Sequence, residues 1–174
     1  PQGKAILTGN PCSEKALSIK KTKKESLDID KNKKLVLIVM GSLGSSKIND
    51  FFVKTLNKFK DKNYEIMFVT GKDMYEEVNK NKFPKNVFVV PYVNELASLL
   101  KRTDLIISRA GASTLAEIIS LGIPSILIPS HYVTNNHQFK NASVLRDNNA
   151  ALLIEEKDLI MDKLIDSIDN LLSN

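Results

Sequence analysis

The sequence predicts an α/β domain with a Rossmann-like, doubly wound parallel sheet. Three observations carry this. From residue 35 onward, six short apolar runs alternate with amphipathic stretches. Runs such as 35–40 (LVLIVM) are apolar on both faces, which suits a parallel sheet covered by helices on either side. The chain has 174 residues, 43% of them apolar, enough for one domain whose core needs no disulfide or metal staple.

Taken in order, 4–8 (KAILT) reads as a short strand. Residues 10–33 are polar and lysine-rich and read as a linker or a marginal helix. Strand 35–40 leads through a small-residue loop, 41–46 (GSLGSS), into a helix over 47–60. That helix repeats Ile48, Phe51, Phe52, Leu56 and Phe59 at helical spacing. A strand at 65–70 and a short helix at 73–79 come next, then a strand at 87–91. The helix at 94–102 takes Asn94 as its N-cap. A strand at 104–108 precedes a helix at 112–121, which Gly122 stops before the strand at 125–128. Loop 131–136, helix 138–147, strand 151–154 and a closing helix at 159–172 complete the chain.

Charge divides the molecule. Residues 1–34 hold nine lysines and four acids, which accounts for the whole formal charge of +5. Residues 35–174 are balanced, with sixteen basic and sixteen acidic side chains. A neutral body with 6% aromatics is not a nucleic-acid binder, which needs a basic face on the domain itself. The single Cys12 forms no internal disulfide and fits a reducing compartment. Two histidines far from that cysteine make no His/Cys zinc site, and no metal cofactor is expected. The longest apolar run, 35–40, is too short to span a bilayer. The opening Pro-Gln-Gly-Lys is no signal peptide, and the absent initiating Met leads us to expect a piece of a longer or processed protein.

In an open α/β sheet, ligands sit beyond the carboxyl ends of the strands, so the strand-to-helix loops are where chemistry is sought. Four stand out. In 40–46, Gly41 and Gly44 let the backbone approach a ligand, Ser42 adds a hydroxyl, and the following helix offers free N–H groups to an anion. This is neither a dinucleotide fingerprint nor a Walker loop, and an ordinary tight turn accounts for it equally. In 108–114, Gly111, Ala112, Ser113 and Thr114 open a helix with small residues, and Glu117 lies one turn inside. That carboxylate either faces solvent or accepts two hydrogen bonds from a vicinal diol. In 128–138, a long polar loop ends on Asn136, His137 and Gln138, with Asn141 one turn on; these suit a polyhydroxylated ligand, or Asn136 simply caps the helix. No carboxylate is visible to partner His137 as a base. In 90–94, Tyr92 and Val93 either pack on a flat base or belong to the core.

Together these stretches resemble the C-terminal half of the MurG family, within the GT-B glycosyltransferases. The matching segments are TGNP at 8–11, GSLGSSKIN at 41–49, VPYV at 90–93, SRAGASTLAEI at 108–118, GIPSILIP at 122–129 and NNHQFKNA at 135–142. They run in family order across nearly the whole chain. The resemblance implies one half of a GT-B fold, with a leading strand and basic linker at 1–34 and a UDP-sugar donor domain at 35–174. It implies inverting transfer of N-acetylglucosamine from UDP-N-acetylglucosamine to the lipid-linked acceptor lipid I, giving lipid II for peptidoglycan. It also implies a cytoplasmic protein, peripheral on the inner face of the bacterial membrane. By position, Gly41, Ser42 and Gly44 would meet the diphosphate and Val93 would read uracil through its backbone. Gly111, Ala112, Ser113 and Thr114 would line the phosphate and sugar, and Glu117 would bind the ribose hydroxyls. His137, Gln138 and Asn141 would face the sugar; family members often carry Gln where His137 stands. The acceptor domain and its catalytic base do not appear in these residues, so no catalytic residue is assigned here.

Two positions depart from the family pattern. Met40 replaces the first of two glycines before the loop serine, and Cys12-Ser13 follow the GNP motif where the family continues Val-Arg. Loss of that Arg removes a phosphate contact worth about 1.5–3 kcal/mol unless a nearby lysine replaces it. Two alternatives stay open at this point. One is a free-standing donor subunit of a split transferase. The other is a non-catalytic nucleotide-sugar-binding module, since fold alone does not fix function.

Overall fold

The computed structural model describes residues 9–20, 29–40 and 46–173. The expected strand at 4–8 and the glycine loop at 41–45 lie outside the described residues. Helix α1 (Pro11–Ser18) comes first, then β1 (Lys34–Val39) and α2 (Ser46–Thr55). β2 (Tyr64–Val69), α3 (Lys72–Val78), β3 (Val87–Val90) and α4 (Leu96–Leu100) follow. The second half runs β4 (Leu105–Ser108), α5 (Ala112–Leu121), β5 (Ser125–Leu127), α6 (His137–Asp147), β6 (Leu152–Leu153) and α7 (Met161–Ser173). Short 3-10 turns occupy Leu56–Phe59, Thr134–Asn136 and Glu156–Asp158.

The six strands form one parallel sheet in the order β3-β2-β1-β4-β5-β6. The chain builds outward from β1 to β3, then returns to pair β4 with the other edge of β1. β1 and β4 therefore flank the topological switch point, and Val39 stands beside Ser108 there. The run 35–40 explains why β1 is central. Val36, Ile38 and Met40 pack on one side with Phe52, Phe59, Leu164 and Ile168. Leu35, Leu37 and Val39 pack on the other with Leu99, Leu115, Ile118 and Leu145. Each face of the sheet thus has its own apolar layer, which is what a run without polar alternation requires.

Several expected elements are trimmed. The helix over 47–60 breaks at Thr55, whose Oγ1 donates back to the Phe51 carbonyl at 2.6 Å before the 3-10 turn takes over. The helix over 94–102 shrinks to α4, and Asn94 does not cap it. Glu95 holds the N-cap position with extended φ and makes no side-chain cap bond. Gly122 ends α5 as expected, in the left-handed region at φ 64°.

Within 10–33, read as a linker or a marginal helix, the structure has the short helix α1. Asn10 accepts the Cys12 N–H at 3.0 Å and Pro11 opens the first turn, a strong start signal. Ala16 is fully buried, and Ser13 Oγ donates to the Ala116 carbonyl of α5 at 3.4 Å. At the other end, Lys101 Nζ donates to the Leu17 and Ile19 carbonyls at 2.7 and 2.6 Å, and Ser98 Oγ to Lys20 at 2.7 Å. Residues 10–20 are docked on the body by α4 and α5 at both ends.

Candidate functional site

The switch point places the β4–α5 turn at the centre of the strand-end rim. Gly111 is the N-cap of α5, with φ −73° and ψ 143°, and no side chain caps this helix. The first intrahelical bond of the α5 start is Leu115 N–H to Gly111 O at 2.9 Å, so the N–H groups of Ala112, Ser113 and Thr114 have no partner within the helix. Ala112 and Ser113 are exposed and Thr114 half-buried. These small residues leave an open, positive helix end suited to an anion.

Glu117 follows one turn later, half-buried. Desolvation raises its pKa, and the positive charge of Lys15 on α1 pulls the other way. A carboxylate in that setting is short of hydrogen-bond donors and suited to receive them from hydroxyls. The neighbouring α1 start leans on the same helix, with Asn10 Nδ2 donating to the Ala112 carbonyl at 3.4 Å.

Among the described residues, two further loops lie at this end. After β3, Tyr92 is exposed with the Lys72 ammonium 5.1 Å from its ring centroid, while Val93 is half-buried against the α4–α5 side of the core. After β5, Asn135 and Asn136 both take left-handed φ, 55° and 52°, and turn the chain into α6. Asn136 sits at the N-cap but its side chain makes no cap bond, so simple helix capping does not account for it. His137 is exposed, and its Nδ1 is 2.9 Å from the Thr134 carbonyl. Gln138 Oε1 accepts the Ser130 N–H at 2.9 Å, which leaves its amide nitrogen as the donor. Asn141 Nδ2 donates to the Ala110 carbonyl at 3.2 Å; this side chain ties α6 to the β4–α5 turn. Gly41, Ser42 and Gly44 lie outside the described residues.

Met40 is only 2% exposed and belongs to the core cluster under α2 and α7. The departure that the family resemblance implies at this position therefore concerns the interior and not the rim. Two polar residues matter that sequence reasoning passed over. Asn49 on α2 is fully buried; its Nδ2 donates to the Thr70 carbonyl at 2.8 Å, and its Oδ1 has no partner among the described residues. Arg109 is buried, with Nη1 donating to the Ile128 carbonyl at 2.9 Å and lying 2.6 Å from Glu156 Oε1. Asn49 falls at helical spacing among apolar neighbours and was a legible candidate for a buried polar pin. Nothing in the sequence pairs Arg109 with Glu156.

One Asp-x-Asp string exists, Asp28-Ile29-Asp30, and it bears on the metal expectation. Ile29 is buried, the Asp30 N–H donates to Glu65 Oε2 at 2.9 Å, and Asp30 Oδ1 accepts from Asn32 N–H. This places Asp30 at the opposite, amino ends of β1 and β2. Among the described residues no group of three or more His, Cys, Asp and Glu is placed to hold a metal ion. An open depression of about 470 Å³ also lies at that far end, lined by Lys101, Asp104, Gly122 and Pro124 among others.

A family model for the glycosyltransferase family 28 C-terminal domain matches residues 35–174. The chain belongs to this family. Along essentially its whole length it is also similar to proteins named UDP-N-acetylglucosamine–N-acetylmuramyl-(pentapeptide) pyrophosphoryl-undecaprenol N-acetylglucosamine transferase. The one from Bacillus cytotoxicus is 44% identical over 179 residues, and the one from Halalkalibacterium halodurans 46% over 177. These matches cover 100% and 99% of this chain and 49% of each relative, so the chain spans about half their length. Among solved structures, MurG of Acinetobacter baumannii superposes with a TM-score of 0.72 at 26% identity, covering 91% of this chain and 46% of that one. The glycosyltransferase VinC, solved with dTDP, shares the fold at TM-score 0.67 and 22% identity. The family 28 domain described above is thus the Rossmann-like half of a GT-B fold. Among the described residues, no helix is long and apolar enough to cross a membrane.

Proposed function

We propose that this family 28 domain is the donor-binding half of an inverting N-acetylglucosaminyltransferase. The full enzyme moves N-acetylglucosamine from UDP-N-acetylglucosamine to lipid I and releases UDP and lipid II. The observation that carries donor binding is the uncapped α5 N-terminus at the switch point, with half-buried Glu117 one turn inside. The sugar and the lipid-linked acceptor follow from the names of relatives that are 44% and 46% identical.

In this reading the free N–H groups at 112–114 receive the diphosphate, together with Gly41, Ser42 and Gly44. Val93 reads the base through its backbone and Glu117 holds the ribose hydroxyls. His137 and the Gln138 amide face the sugar, with Asn141 holding the turn beneath them. The acceptor 4-hydroxyl oxygen attacks the anomeric carbon as the bond to the UDP oxygen breaks, with inversion. The helix end stabilises the charge that builds on the departing diphosphate, and no metal is required of these residues for that. The general base belongs to the other half of the enzyme, so this chain binds the donor but transfers nothing. The full enzyme works at the inner face of the cell membrane, where its lipid-linked acceptor lies. Calorimetry of the chain with UDP and with UDP-N-acetylglucosamine tests the reading. Saturable heat with both is expected; no heat at millimolar ligand overturns it.

A further inference from the structure

Arg109 is the point at which three rim loops meet. It leaves β4 directly before the Ala110-Gly111 turn, and its side chain is only 9% exposed. Its Nη1 reaches the carbonyl of Ile128, at the end of β5, and the carboxylate of Glu156, in the 3-10 turn after β6. The Glu156 side chain is 4% exposed, and its Oε1 has no hydrogen-bond partner beyond this ion pair among the described residues.

We propose that Arg109 and Glu156 are a positioning pair for the donor site. Buried together below the rim, they set the spacing of the loops after β4, β5 and β6, and so the placement of the groups that receive the donor. The proposal rests on reading this rim as the donor site.

The connections from the pair to those groups are short. On one side, Ala110 follows Arg109, its carbonyl taken by Asn141 of α6, and Gly111 then opens α5. On the other side, Pro129 follows Ile128 with its fixed φ, and the Ser130 N–H then holds the Gln138 amide by its oxygen. Gly111, the α5 N-cap, is two residues from Arg109, and the Gln138 side chain is reached from the guanidinium through two hydrogen bonds joined by residues 128–130. One nitrogen, Nη1, meets both the carbonyl and the carboxylate, and the planar guanidinium fixes the directions of its N–H bonds where a freely rotating lysine ammonium would not. Buried ion pairs are commonly replaceable by apolar pairs of similar volume without loss of stability, so packing alone does not call for one here. What this pair adds is fixed geometry between three loops.

The test uses the 174-residue chain with Arg109→Lys and with the double variant Arg109→Met/Glu156→Leu. Folding is followed by thermal unfolding, UDP affinity by calorimetry, and local order by amide hydrogen exchange. Both variants are expected to fold, to bind UDP about tenfold more weakly, and to exchange faster at residues 110–114 and 128–131. A pair that served stability alone would move the unfolding midpoint and leave affinity and exchange at the rim unchanged. A folded variant with parental affinity and parental exchange overturns the proposal. So does failure of both variants to fold, which would assign the pair to folding itself. If the parent chain does not bind UDP, the donor reading fails, and the exchange rates still decide the role of the pair.

Discussion

Glu117 is half-buried, and desolvation holds its pKa above the ordinary value of 4.5 against the opposing charge of Lys15. The folded chain therefore grips this proton more tightly than the unfolded chain does. The stability that the proton supplies is complete below pH 4.5 and is lost as pH rises through the raised pKa. Glu117→Gln removes this dependence, so the parent should lose stability relative to the variant across that window. Melting curves at stepped pH measure it. Under the proposed role of Glu117, donor binding runs the other way, because the ionised carboxylate is the better acceptor for ribose hydroxyls. UDP affinity of the parent should rise across the same window, and Glu117→Gln should bind about ten- to a hundred-fold more weakly at neutral pH without the step. Met40 makes a contrasting case. Its side chain is core, so restoring the family glycine by Met40→Gly should cost about 2–5 kcal/mol in denaturant unfolding. Position 13 differs again, since Ser13 is half-buried on α1 against α5. Ser13→Arg returns the family's cation to the start of α1 and should tighten UDP binding by up to about tenfold in calorimetry. No change would mean that this chain receives the diphosphate without help from α1.

Among the elements, α1 shows where sequence reading falls short and why. Its lysines and weak periodicity read as a linker or a marginal helix, because its buried face is little more than Ala16 and Ser13. What holds it is capping and docking: Asn10 at the N-cap, Pro11 in the first turn, and the Lys101 ammonium on its last carbonyls. The Asn-Pro pair was the legible signal. Asn10→Ala should cost about 0.5–2 kcal/mol and loosen α1, read as faster amide exchange over residues 11–18. The long apolar strands were legible in type and order because a two-faced run such as 35–40 has few other uses. Boundaries were not: a threonine hydroxyl ends α2, and an extended Glu95 delays α4, both decided by local backbone geometry. At the candidate site, Gly111, Glu117 and Gln138 were singled out by their place at strand ends. Arg109 and Glu156 were not, since their partnership exists only once β4, β5 and β6 lie side by side.

For the molecule as a whole, the return of the chain to β4 beside β1 is what builds the candidate site. It brings the ends of two strand series together and sets the α5 helix end at the opening between them. The excess positive charge lies in the first 34 residues, and among the described residues Lys15 brings some of it to the candidate site through its charge on Glu117. On the proposed reading, this opening receives the nucleotide sugar and the far-end depression does not. Amide chemical-shift mapping of the chain during titration with UDP-N-acetylglucosamine tests it directly. Saturable shifts are expected at Val93, Gly111 to Thr114, Glu117 and Gln138. Shifts confined to the far-end depression around Lys101, Asp104 and Gly122, or no saturable shifts at all, would contradict it.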